Sequence, residues 1–100
     1  IMANNAKRFG DLGFNFADVK AWHKIDELID KEIMVVDCIE VRGNFGNYLI
    51  VKYQDMMDSS INAFTTGSKV ICEKILTAKD KKLLPLPGQI VKKKNWYDII

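Results

Sequence analysis

The sequence predicts a mainly β domain, a small barrel of five strands with a helix inserted between the third and fourth. Three observations carry that expectation. Beyond residue 30 the apolar residues are largely β-branched or aromatic and tend to alternate with polar ones. Clusters of Gly, Asn, Ser and Asp cut these runs at short intervals. Between the third and fourth runs lies a helical stripe that opens on a capping serine and ends before two prolines. At 100 residues, 48% hydrophobic and 28% charged, the chain fits one globular domain and not a disordered tail or a fibre. So short a chain buries a modest core, which argues against a large internal active-site cavity.

Residues 1–17 mix Asn, Gly and charge with Phe9, Phe14 and Phe16, and read as an arm or loop preceding a domain over 18–100. Asp18 caps an expected amphipathic helix to about Asp30, with Trp22, Ile25 and Ile29 at i, i+3, i+7 and Leu28 widening the stripe. The run from Ile33 to Val41 is the first strand, long enough to bend. Gly43-Asn44-Phe45-Gly46-Asn47 reads as a hairpin loop of about five residues, and Tyr48–Tyr53 as the return strand. Residues 54–59 turn the chain again, and Ser60–Thr66 is a short third strand. Gly67 stops it, and Ser68 caps a helix over Lys69–Lys79 whose stripe is Val70, Ile71, Ile75 and Ala78. Pro85 and Pro87 forbid its continuation. Gln89–Lys93 and Trp96–Ile100 form a last hairpin around Asn95.

Three antiparallel strands, a helix and a hairpin is the order of the five-stranded OB barrel, β-β-β-α-β-β. Closure removes exposed edges, which matters for a core this small. In that arrangement Val70, Ile71 and Ile75 plug one end of the barrel. The alternative is an open α+β sheet covered by the two helices.

Charge is unevenly placed. The net charge is +2, but residues 1–58 hold seven Lys/Arg against ten Asp/Glu, and residues 59–100 hold eight against three. A basic C-terminal part points mildly to an anionic partner. Cys38 and Cys72 are too few and too far apart for a zinc motif and read as free thiols of a reducing compartment. No apolar run approaches the roughly 18–20 residues that cross a bilayer, and no signal peptide is visible. A cytoplasmic protein without membrane partners is expected.

Several segments resemble one family. Phe45-Gly46-Asn47-Tyr48-Leu49-Ile50-Val51, Phe64-Thr65-Thr66-Gly67-Ser68-Lys69-Val70-Ile71, Leu84-Pro85-Leu86-Pro87, Ile90-Val91-Lys92 and Trp96-Tyr97-Asp98-Ile99 look like the small single-stranded-DNA-binding-like proteins of bacteriophages and mobile elements of Gram-positive bacteria. The resemblance implies an OB fold, sequence-tolerant binding of single-stranded DNA, a part in replication or recombination inside a bacterial host, and self-association.

Single-strand binding needs cations that track phosphates and flat rings that stack on bases. The expected nucleic-acid-binding residues are Arg42, Phe45, Tyr48, Lys52, Phe64, Lys92, Lys93, Lys94 and Trp96. In an OB barrel the second and third strands, with the loops joining strands one to two and four to five, form the groove. Phe45 and Trp96 fall in those loops, with the lysine triplet beside the second. Tyr53, Tyr97 and Lys69 are further candidates, and Tyr53 and Phe64 have a competing claim on the core. Asp37, Glu40, Asp55 and Asp58 argue against a wholly basic groove.

No catalytic set is expected. His23 is the sole histidine, and no Ser/His/Asp constellation, P-loop or HExxH motif occurs. Neither a metal, a cofactor nor a small-molecule substrate is implied. The competing reading is an OB-type protein-interaction module without nucleic acid, since one fold serves many roles.

Overall fold

The structure, a computed structural model, describes residues 17–100. The expected arm over 1–17, with Phe9, Phe14 and Phe16, lies outside the described residues except for Ala17. Six strands and one α-helix follow in the order β1 (Ala21–Trp22), β2 (Glu32–Gly43), β3 (Gly46–Asp55), β4 (Ile61–Thr66), α1 (Lys69–Asp80), β5 (Leu86–Lys93) and β6 (Trp96–Ile99). The mainly β class and the order from β2 onward are as the sequence predicts.

β2 organises the sheet. Twelve residues long, it pairs with β3 from Ile33 to Gly43 and with β5 only from Glu32 to Val35. The register slips between Val35 and Asp37, a bulge that bends the strand so that its two ends serve different neighbours. The Asp37 carboxylate accepts the Cys38 N–H at 2.8 Å and pairs with Lys79 at 3.1 Å, tying α1 to the bend. The hairpin that follows is tighter than expected: Gly43 pairs with Gly46, leaving Asn44 and Phe45 as a two-residue turn. Gly46 supplies the positive φ of 120° there. A side chain on Gly43 would stand 2.9 Å from the Gly46 carbonyl and 3.3 Å from the Tyr48 ring.

Alternation then sorts the side chains. Leu49, Val51 and Tyr53 of β3 lie opposite Thr66, Phe64 and Asn62 of β4, and all six are buried. Leu49, Val51, Tyr53 and Phe64 join Leu28, Ile33, Val35 and Cys38 in one core, with Ile71 and Ile75 of α1 and Ile90 and Ile99 of the last hairpin. Val70, expected in the helix stripe, is only half-buried.

Two expectations are corrected. The helix over 18–30 is replaced by the short strand β1 and a single 3-10 turn, Ile25–Leu28. His23 and Glu27 pair on that turn at 2.9 Å, and Lys20 and His23 spend their backbone N–H groups on β4 instead of on a helix. The closed barrel of five strands is the second correction. The sheet is open, with six strands in the order β1-β4-β3-β2-β5-β6. Both edges that would have closed are partly occupied. On β4, the carbonyls of Ile61 and Ala63 accept from Lys20 at 2.7 Å and His23 at 2.9 Å. On β6, the Ser68 hydroxyl donates to the Tyr97 carbonyl at 3.1 Å and the Lys74 ammonium to the Ile99 carbonyl at 3.1 Å. Side chains on one edge and the residues flanking β1 on the other thus satisfy some of the groups that a closing ladder would have used.

Candidate nucleic-acid interface

The last hairpin holds four of the nine expected residues, Lys92, Lys93, Lys94 and Trp96. Lys92 pairs with Tyr97 and Lys93 with Trp96 across the ladder, so each cation shares a face with a ring. The ammonium of Lys92 lies 5.6 Å from the Tyr97 ring centre and that of Lys93 lies 5.2 Å from the Trp96 ring centre, both within cation–π range. Trp96 is exposed over 43% of its surface. Lys94 stands in the turn at φ 31°, exposed. Behind the hairpin, Asp98 is buried and accepts from Lys74 at 2.7 Å. That bond, the Ile99 N–H and the nearby Lys93 at 3.5 Å hold its carboxyl below the usual range, so it stays charged at neutral pH. The Tyr97 hydroxyl donates to Asp26, which raises the phenol's pKa and pins the ring to the 3-10 turn.

Between this hairpin and the β4–α1 junction lies a depression of about 380 Å³. Its walls include Thr65, Ser68, Lys69, Asn95, Trp96 and Tyr97. Lys69 also borders a neighbouring hollow with Glu40 and Asn47, next to the β2–β3 hairpin. Phe45, at the tip of that hairpin, is fully exposed, with Arg42 exposed beside it and Tyr48 half-buried over Gly43. The junction therefore stands between the two hairpins that the sequence marked.

Two expected residues do not join them. Phe64 projects inward, fully buried, and packs on Tyr53 with ring centres 5.8 Å apart, so it has no face for a base. Tyr53 shares that fate, and desolvation pushes its phenol up to about 12. Lys52 projects to the outer face but is buried, and it pairs with Asp18 at 3.0 Å. Asp18 lies 34 positions earlier, too distant for local pattern to connect with Lys52. Lys69 and Tyr97, further candidates in the sequence, line the depression, and Ser68 as a helix cap is the sequence signal that the junction has a fixed geometry.

Other hollows fit the chemistry less well. One of about 140 Å³ between α1 and β5, lined by Ile75, Leu86 and Ile99, lies below the roughly 300 Å³ at which small-molecule sites begin. Another mixes Lys20 and Lys31 with Glu27, Asp55 and Asp58, whose carboxylates would repel phosphate. Among the described residues, no group of His, Cys, Asp and Glu is arranged to hold a metal ion, and no helix is long and apolar enough to cross a membrane.

Residues 21–100 match a family described as a domain of unknown function, DUF8468. The chain belongs to that family. The match begins at β1 and spans the sheet and α1 described above. No curated protein and no solved structure matches the chain.

Proposed function

We propose that this domain binds single-stranded DNA without strong sequence preference, through the depression between the β4–α1 junction and the β5–β6 hairpin. The observation that carries the reading is that Trp96, Tyr97 and Lys69 line that depression, while Lys92 and Lys93 sit over the two rings on opposite faces of the adjoining hairpin. Rings offer a stacking face to any base, at about 1–3 kcal/mol per base, and ammonium groups neutralise phosphates. The central β2, flanked by β3 and β5, with a helix between β4 and β5, supports reading the fold as an OB-type arrangement left unclosed. The resemblance to phage and mobile-element single-strand binders points the same way and gives replication or recombination as the setting. The reading is of a binding protein and assigns no reaction.

The test uses Trp22→Phe, which leaves Trp96 as the sole indole. A thymidine oligomer is expected to quench its fluorescence, with affinity falling as salt rises because bound lysines release counterions. Replacing Lys92, Lys93 and Lys94 by Ala removes up to three phosphate contacts and makes the log–log salt slope less negative by about 2. Absence of both quenching and binding at low salt overturns the proposal.

Phe45 favours a second reading. A fully exposed phenyl ring on a hairpin tip suits a protein partner as well as a base. Self-association that survives without any nucleic-acid binding, and that Phe45→Ser abolishes, would decide for an interaction module.

A further inference from the structure

The depression has polar groups on its floor that the strand alternation identifies. In an antiparallel ladder, residues facing each other alternate between pairs that exchange hydrogen bonds and pairs whose N–H and C=O point away. Asp55 donates to the Ser60 carbonyl at 2.8 Å, which sets the phase of β3 against β4. Tyr53–Asn62, Val51–Phe64 and Leu49–Thr66 then exchange bonds, and Ile61, Ala63 and Thr65 turn their backbone outward. Lys20 and His23, on either side of β1, satisfy the first two of these carbonyls, and β1 itself ends at Trp22. Among the described residues, no hydrogen bond reaches the outward N–H or C=O of Thr65.

The facing strand follows the same logic. Gln89 and Ile100 exchange both bonds, at 2.9 and 3.0 Å, so Tyr97 and Ile99 turn outward. Ile99 is satisfied by Lys74 and by the Asp98 carboxylate, and the Tyr97 carbonyl by Ser68. The Tyr97 N–H remains without a partner among the described residues. Thr65 and Tyr97 both line the depression, and Trp96 stands beside them.

We infer that this seam takes one unstacked nucleobase, whose edge meets the Thr65 main chain while its face lies on Trp96. The inference rests on the single-strand reading above and deepens it. Each base carries a donor and an acceptor side by side on its pairing edge, as Thr65 does on its outward side, so main-chain contact of this kind tolerates sequence. The cavity has the size of a small-ligand site, and Lys69 on its rim offers a counter-charge to a phosphate of the same nucleotide.

The experiment scans one abasic site along a thymidine oligomer against the Trp22→Phe protein. Loss of the base that occupies the seam is expected to abolish Trp96 quenching and to weaken binding about 5- to 150-fold, the range of one stacking contact. Thr65→Pro deletes the outward N–H without touching the ladder to β3, a substitution that edge positions tolerate. It is expected to weaken the intact oligomer about tenfold, the order of one charge-free hydrogen bond. Backbone amide resonances of the unsubstituted protein give a readout that no variant can spoil by misfolding. The intact oligomer should slow hydrogen exchange at Thr65 and Tyr97. Binding and quenching that persist at every abasic position, with both amides exchanging as fast as before, would overturn the base pocket and leave single-strand binding standing. Failure of any oligomer to bind would overturn both, and slowed exchange on adding an extended peptide instead would assign the seam to a protein strand.

Discussion

Phe64 and Tyr48 sit on neighbouring strands and have similar rings, yet only one is accessible. Phe64 shares the inward parity of Val51, its cross-strand partner, whereas Tyr48 shares the outward parity of Val41 and lies against Gly43. Phe64→Ala is therefore expected to cost about 3–5 kcal/mol of stability, read from denaturant unfolding, with loss of binding only through loss of fold. A surface stacker would show the reverse pattern, weak on stability and strong on affinity. Tyr53 gives a pH signature of the same core. Its phenol is raised to about 12 by burial, above the value of about 10 in an unfolded chain. The folded state thus holds that proton more tightly. The associated stability is complete below pH 10 and declines as pH rises towards about 12, which alkaline unfolding followed by phenolate absorbance will show. The residue scale was partly legible in sequence: the competing claim of the core on Phe64 and Tyr53 could be stated, because alternation in β3 and β4 was visible. The burial of Lys52 was not, since it depends on Asp18 and on the path of β1.

At the scale of elements, Ser68 does more than start a helix. Its hydroxyl accepts from the Ile71 N–H at 3.4 Å and donates to the Tyr97 carbonyl at 3.1 Å, and its own N–H donates to Thr66 Oγ1 at 3.1 Å. Ser68→Ala should lower stability by about 1–2 kcal/mol, more than an exposed cap that makes a single bond, and should loosen β6. Thermal unfolding gives the first effect and amide exchange in Trp96–Ile99 the second. The helix itself was readable to within one residue, Lys69–Lys79 expected against Lys69–Asp80 found, because cap, stripe and terminating prolines agree. The 18–30 segment was not. Its apolar spacing suits a helix, but Lys20, Ala21 and His23 have an edge strand within reach, and pairing with β4 satisfies their backbone instead.

Across the whole molecule, the sheet bends around a core yet stops short of closure. An open seam has a measurable consequence. In the free protein, amides that point into it should exchange quickly at Thr65 and Tyr97, while Phe64 and Asp98, whose N–H groups lie inside ladders, should exchange slowly. A barrel closed between β4 and β6 would protect all four. Charge follows a similar division. The basic excess after residue 58 was visible in composition, but the structure engages several of those lysines internally: Lys74 with Asp98, Lys79 with Asp37, and Lys93 with both Asp98 and Trp96. The surface available to an anion is smaller than the count of lysines implies.

The order of strands from β2 onward, the helix and its cap, and the nearness of rings to lysines in the last hairpin were written in the sequence, because each depends on residues adjacent in the chain or one turn apart. Closure, the burial of Lys52 and the outward groups of Thr65 and Tyr97 were decided only by tertiary structure. These depend on which of two competing partners, a side chain or a strand, reaches a given backbone edge, and that contest is between residues tens of positions apart whose proximity no local pattern encodes.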